Sequence, residues 1–131
     1  MKLSLWLVQS LIIMLGGAIG ALFRFWMSEG IHVFFDKGFP VGILCVNVLG
    51  SFLMGLLSTA LFRYMPHADH WRSFALIGFL GAFTTFSTFS LDTVQLMQQG
   101  ELGLACLNML LSLVLCVSAA FAGVYISTNV L

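Results

Sequence analysis

The sequence predicts an all-α integral membrane protein, a single domain of four transmembrane helices over residues 1–131. Hydrophobic residues make up 60% of the chain and charged residues 8%, a composition that is not found in soluble domains of this size. A membrane-spanning helix needs about 20 apolar residues. Four stretches satisfy that requirement: residues 5–27, 41–64, 71–99 and 102–128. Because the polar links between them are short, neighbouring spans are expected to be antiparallel, with both termini on one side of the bilayer.

The charges are few and nearly balanced between the two predicted sides. The chain has five basic and five acidic residues, and it has no charged run that would bind nucleic acid. The side holding the termini carries Lys2, Arg63 and Arg72, and the opposite side carries Lys37 and Arg24. Basic residues fix orientation in the membrane. A bias of three against two allows either one fixed orientation or insertion both ways round.

The third span contains a segment that does not suit an unbroken helix. Residues 78–90 read GFLGAFTTFSTFS, with two glycines, three threonines and no charge. Glycine and β-branched threonine both weaken a helix interior. In lipid, backbone groups released by a break must find partners in the protein or line a cavity. The sequence therefore predicts a third helix broken at mid-membrane, at a candidate site for a small ion.

Two phenylalanines follow this predicted break at helical spacing. Phe86 and Phe89 would share a face, and hydroxyl residues are interleaved with them. Such an aromatic pair is common in helix packing, but aromatic rings also have a positive edge that attracts anions. Main-chain carbonyls released at Gly81 and Thr84 offer a different site, suited to a hard cation. Both kinds of ion remain possible on these residues alone.

Polar residues in the other spans also have two interpretations. Arg24 either snorkels to the membrane surface or forms an electropositive vestibule that concentrates anions. Asn47 either joins helices by hydrogen bonds or donates to an ion. Asn108 and Ser112 lie four apart on one helix face, where interhelical hydrogen bonding is the alternative to a pore. The cysteines lack metal or redox spacing and are expected to pack as small hydrophobic residues.

Three of these motifs together resemble the Fluc (CrcB) family of fluoride channels. They are GGAIGALFRF in the first span, VNVLGSFLMG in the second and GFLGAFTTFSTFS in the third. The resemblance implies an antiparallel, dual-topology homodimer in the bacterial inner membrane, with two fluoride pores per dimer. It also implies a structural sodium ion (Na⁺) at the dimer centre, held by the main-chain carbonyls of Gly81 and Thr84.

The resemblance also assigns residues to the ion pathway. The family's phenylalanine pair falls on Phe86 and Phe89, its pore asparagine on Asn47 and its vestibule arginine on Arg24. Three further residues correspond to its hydroxyl track: Ser87, Thr88 and Ser112. Asn108 stands where many members have a tyrosine and is assigned to the pathway as well. The expected activity is passive export of cytoplasmic fluoride, with fluoride, the lipid bilayer and a second copy as partners.

Two other kinds of protein share the size and layout. A small dual-topology multidrug transporter needs a membrane-embedded carboxylate in its first span, where this chain offers only Gln9 and Ser10 as strongly polar early residues. A membrane scaffold subunit would use the same polar groups only to join helices. An enzyme is not expected, because no nucleophile, base and orienting group share a face.

Overall fold

In the part of the chain that the structure describes, four helices are long and apolar enough to cross a membrane, as the sequence predicts. The computed structural model describes residues 2–35 and 38–131. Asp36 and Lys37, the latter part of the charge count, lie outside the described residues, as does the side chain of Lys2. Helix α1 spans Lys2–His32, α2 spans Val41–Tyr64 and α6 spans Leu102–Asn129. Helix α1 thus continues past residue 27, where the first span was expected to end.

The third span is built from several shorter pieces. A single turn, α3, covers Asp69–Arg72 and leads into a π-helical segment, Ser73–Leu80. The short α4 follows at Gly81–Phe83, and α5 covers Phe86–Gln98. Runs of π-helix of this length are rare and often occur near functional sites. The first half of the span is therefore mostly π-helical, and its longest α-helical piece is α5.

Glycines let the backbones of α1 and the π-helical segment touch. A Cβ atom at Gly16 would overlap the Phe74 carbonyl, and one at Gly20 would overlap the Phe79 carbonyl. The contact is reciprocal, since a Cβ at Gly78 would lie 2.7 Å from the Ile13 carbonyl oxygen. Small residues at helix interfaces allow this close approach in membranes. Gly16 and Gly20, which are four residues apart in a GxxxG pattern, thus serve to pack α1 on the third span.

Helices α2 and α6 pack in the same manner. A Cβ at Gly55 would overlap the Ala120 carbonyl, and a Cβ at Gly123 would overlap the Phe52 carbonyl.

Helix α5 reaches α6 through a tight turn in which Gly100 has φ +82°. The Gly100 N–H donates to Met97 and the Glu101 N–H donates to Leu96, the hydrogen bonds of a Schellman motif. This turn places α5 directly beside the first half of α6.

A buried core cluster lies between α2 and the centre of the third span. Val46, Leu80 and Phe83 are buried and in contact. Most other large apolar side chains on α1 and α6 are exposed on the outside of the single chain. An outward apolar surface is the expected arrangement where the surroundings are lipid or another subunit.

Candidate functional site

The third span leaves helical geometry at two consecutive threonines. Thr84 has ψ 156° and Thr85 has φ −152° and ψ 119°, so both are extended. Helix α4 ends just before them and α5 begins just after. Gly50 on α2 lies against this point, because a Cβ there would overlap the Thr84 side chain. The extended pair is therefore enclosed by α2 on one side.

Asn47 hydrogen-bonds both backbone groups of Thr85. Its Nδ2 atom donates to the Thr85 carbonyl at 2.9 Å, and its Oδ1 atom accepts from the Thr85 N–H at 2.8 Å. Thr85 is itself buried. Because an unpaired backbone group in an apolar medium costs several kcal/mol, this pair of bonds allows the chain to be extended here. Asn47 thus acts as a clamp on the interruption.

The side chain of Thr85 begins the next helix. Its Oγ1 accepts from the Thr88 N–H at 3.2 Å, the hydrogen bond of an N-cap. The same hydroxyl donates to Thr88 Oγ1 at 3.1 Å and shares a hydrogen bond with Ser87 Oγ at 3.2 Å. The three hydroxyls form one network at the start of α5. Within this network, the Thr85 hydroxyl satisfies a backbone N–H of the helix terminus.

Two main-chain carbonyls beside the interruption lose their helical donors. The Thr85 N–H, which would bond Gly81 in a continuous helix, is taken by Asn47. The Thr88 N–H, which would bond Thr84, is taken by the Thr85 hydroxyl. Arg24 Nη1 lies 3.5 Å from the Thr84 carbonyl oxygen. Gly81 is exposed on the surface of the single chain. The Gly81 carbonyl is therefore left without its helical donor, and the Thr84 carbonyl accepts from Arg24 in place of its helical donor.

A cavity of about 630 Å³ lies next to the interruption, between α2, α5 and α6. Phe86 and Phe89 form one wall, with ring centroids 5.4 Å apart and planes at 47°. Phe86 is 79% exposed, so the cavity opens to the outside of the single chain. Its polar lining residues are neutral: Asn47, Ser51, Thr84, Thr85, Ser112 and Cys116. Within residues 2–35 and 38–131, this wall contains no carboxylate, lysine or arginine.

The structure brings some of the predicted pathway residues to this cavity and not others. Asn47, Phe86, Phe89 and Ser112 line it. The remaining predicted pathway residues lie outside the wall as the structure describes it: Ser87, Thr88, Asn108 and Arg24. Of the two residues predicted to hold sodium, Thr84 lines the cavity and Gly81 does not. Asn108 is 2% exposed and donates to Thr93 on α5, so it joins two helices. Its side chain takes the interhelical alternative that the sequence left open.

Sequence reasoning missed Ser51 and Cys116 as members of the cavity wall. Ser51 follows Asn47 by four residues on α2, and Cys116 follows Ser112 by four on α6. The two side chains lie within hydrogen-bonding reach of each other, where α2 meets α6 in the cavity wall. Spacing of four residues from a polar lining residue was the signal that could have found both, since such residues share a helix face. Cys116 was expected only to pack as a hydrophobic residue.

Comparison with known proteins identifies the family. The chain matches the family described as CrcB-like protein, Camphor Resistance (CrcB), over residues 11–124. It is 53% identical to a Vibrio parahaemolyticus protein named fluoride-specific ion channel FluC, over 85% of this chain and 87% of the relative. A protein of the same name from Magnetococcus marinus is 48% identical over 86% of this chain and 91% of the relative.

A third relative is longer than this chain. The Methylococcus capsulatus protein, also named fluoride-specific ion channel FluC, is 49% identical over 94% of this chain but only 52% of the relative. The chain therefore spans about half the length of that protein. With residues 11–124 matched and identities near 50%, the chain belongs to the CrcB family.

Proposed function

We propose that this protein is a fluoride-selective channel of the bacterial inner membrane that lets cytoplasmic fluoride leave by passive diffusion. The observation that carries the proposal is the cavity beside Thr84 and Thr85, where two phenylalanines meet polar groups that are all neutral among the described lining residues. Family membership and the names of the bacterial relatives support it. Those relatives are named as channels rather than as enzymes.

The chemistry of the cavity wall suits a small, strongly hydrated anion. Hydroxyl and amide groups donate hydrogen bonds that replace water around the ion. Aromatic edges add weak positive potential without fixing a charge. Conduction requires sites that bind well enough to admit an ion and weakly enough to release it. Neutral donors at successive positions, such as Asn47 and Ser112, meet both requirements.

The proposed assembly is an antiparallel homodimer with two pores, formed by insertion in both orientations. The near balance of basic residues between the two sides supports dual topology. The exposure of Phe86 and the open side of the cavity support a second subunit, because a conducting path needs a complete wall. The exposed apolar surface of α6 is consistent with burial against lipid or that subunit.

A structural sodium ion at the centre of this dimer is part of the proposal. Hard cations in membranes are held by carbonyl oxygens of interrupted helices, and the carbonyls of Gly81 and Thr84 have lost their helical donors. These residues fit such an ion, with Gly81 exposed where a partner would approach. Arg24 must leave the Thr84 carbonyl for that oxygen to bind a cation. The ion would bind the free carbonyl oxygens of both interrupted helices and hold the subunits together.

The two rival functions have less support. A multidrug transporter would need a carboxylate inside the first span. The strongly polar early residues there are Gln9, which donates to Ser73 at 3.0 Å, and Ser10, which donates to the Trp6 carbonyl at 2.8 Å. A scaffold would explain Asn47 and Asn108 but not the polar lining of an open cavity. Both rivals predict no selective fluoride movement.

Fluoride release from liposomes tests the proposal. Purified protein is reconstituted into vesicles loaded with potassium fluoride or potassium chloride, and efflux is followed by ion-selective electrodes after valinomycin is added. We expect rapid fluoride efflux and chloride efflux close to that of protein-free vesicles. Fluoride efflux no faster than in protein-free vesicles, from correctly folded protein, would refute the channel. Equal efflux of both ions would refute its selectivity.

A further inference from the structure

A hydrogen-bonded chain connects α6 to the backbone of Phe89. Asn108 Nδ2 donates to Thr93 Oγ1 at 2.9 Å, and Thr93 Oγ1 donates to the Phe89 carbonyl at 2.8 Å. Thr93 is 4% exposed and Asn108 is 2% exposed. Thr93 and Asn108 are therefore shielded from lipid even in the single chain.

The direction of this chain is fixed by the chemistry of the hydroxyl. Thr93 has one proton, which it gives to the Phe89 carbonyl, so its oxygen can only accept from Asn108. The Asn108 amide donates one of its own N–H groups to the Thr93 oxygen, across the gap between two helices. A hydroxyl that bonds only within its own helix imposes nothing on a neighbour. The contact with Asn108 therefore adds a buried side-chain link between α5 and α6.

The coupled pair lies one helical turn from the cavity. Phe89 precedes Thr93 by four residues on α5, and Ser112 follows Asn108 by four residues on α6. Each pair therefore shares a helix face. Phe89 and Ser112 both line the cavity, on walls contributed by these two helices. The buried hydrogen bond thus sets the rotation of α5 and its distance from α6 just where the aromatic wall meets the Ser112 wall.

We propose that Asn108 and Thr93 form a positioning pair that holds Phe89 in the wall of the ion pathway. The inference rests on the proposed channel function and specifies how one of its walls is fixed. Asn108 acts through Thr93 and makes no contact with the ion. This role differs from the direct place on the pathway that the family resemblance implied for it.

A double-mutant cycle tests the coupling. Thr93→Val keeps the shape of the side chain and removes the hydroxyl, whereas Asn108→Leu removes the donor from the other helix. Loss of one buried hydrogen bond is expected to lower the fluoride efflux rate about 3- to 10-fold. Because each change breaks the same bond, the double variant should be no slower than the slower single variant. Thr93→Ser retains the hydroxyl and should conduct like the wild type.

Two controls separate positioning from general damage. Thr128→Val removes a hydroxyl that bonds the Val124 carbonyl within α6, far from the cavity, and should leave efflux unchanged. A 4-fluorophenylalanine label at position 89 gives a readout independent of transport. Its ¹⁹F chemical shift should move in Thr93→Val and Asn108→Leu but not in Thr93→Ser or Thr128→Val. If Thr93→Val does not assemble, Asn108→Leu tests the same bond.

The outcomes distinguish this inference from the channel proposal. Absence of fluoride efflux from the wild type would refute the channel itself, while the ¹⁹F comparison would still test the position of Phe89. If the wild type conducts fluoride and Thr93→Val conducts it at the same rate, the positioning pair is overturned. Additive losses in the double variant would also overturn it, because Asn108 would then act on the ion independently of Thr93.

Discussion

Asn47 and Thr85 are joined by two hydrogen bonds, of 2.9 and 2.8 Å, that use both backbone groups of the threonine. An asparagine amide reproduces the donor and acceptor of a peptide group, so it replaces the helical partners that an extended residue loses. The sequence left Asn47 with two alternatives, interhelical bonding or a place in the pathway. The structure shows the first directly and also places Asn47 at the cavity, so one side chain supports the backbone and borders the cavity.

Removal of this clamp should destabilise the protein strongly. Asn47→Leu keeps the volume but leaves the buried N–H and C=O of Thr85 without partners, at an expected cost of about 2–4 kcal/mol. Thermal unfolding in detergent measures the effect. The control is Asn129→Leu, which removes an exposed hydrogen bond to Tyr125 and should change stability little. Equal unfolding temperatures for Asn47→Leu and the wild type would contradict the clamp.

The contact between α1 and the π-helical segment predicts that alanine substitutions at two glycines of α1 will differ in their effect on stability. Gly20→Ala places a methyl group against the Phe79 carbonyl and should destabilise the protein by about 1–3 kcal/mol, the usual cost of overpacking. At Gly17 the nearest atoms to a Cβ are 3.9 Å away, so Gly17→Ala should be neutral or slightly stabilising. Unfolding temperatures of the two variants test this difference. An unfolding temperature for Gly20→Ala that is no lower than that for Gly17→Ala would contradict the close backbone contact at Gly20.

Cys116 provides a native probe of the cavity. Methyl methanethiosulfonate, a small permeant reagent, should reduce fluoride efflux by attaching a methylthio group to the Cys116 thiol inside the cavity. The variant Cys116→Ser should conduct and resist the reagent. Cys106 is exposed outside the cavity wall, so Cys106→Ser should remain sensitive. Inhibition that persists in Cys116→Ser would place the reactive site elsewhere.

Sodium should stabilise the proposed dimer through the carbonyls of Gly81 and Thr84. A ligand that binds only the folded state raises the unfolding temperature with its concentration. We therefore expect higher unfolding temperatures in sodium chloride than in N-methyl-D-glucamine chloride at equal ionic strength. Potassium chloride controls for a general effect of small cations. The same unfolding temperature in all three salts would contradict a sodium site.

The apolar spans were predictable because the length and composition of a membrane helix are set by the bilayer. The composition of residues 78–90 indicated an irregular segment, but only to within thirteen residues. The structure places the extended backbone at Thr84 and Thr85. What decides this position is the reach of Asn47 from α2 and the space left by Gly50, contacts between residues far apart in the sequence.

The cavity lining was less predictable than the helices. Phe86 and Phe89 could be paired from their spacing, and Ser112 could be assigned from the family resemblance. Asn108 was assigned to the pathway by that resemblance, yet its side chain points to Thr93. Helical periodicity relates residues on one helix, but the rotation of α6 against α5 depends on packing that a single sequence does not show. The partner of each polar side chain therefore had to come from the structure.

Fluoride efflux in Phe86→Ile, compared with Phe121→Ile, tests the central claim most directly. Both phenylalanines are exposed on the single chain, at 79% and 72%, but only Phe86 belongs to the cavity wall that the structure describes. If the cavity is the pathway, Phe86→Ile should abolish or greatly slow fluoride efflux from liposomes, while Phe121→Ile conducts like the wild type. Wild-type efflux in Phe86→Ile, from correctly assembled protein, would contradict the account.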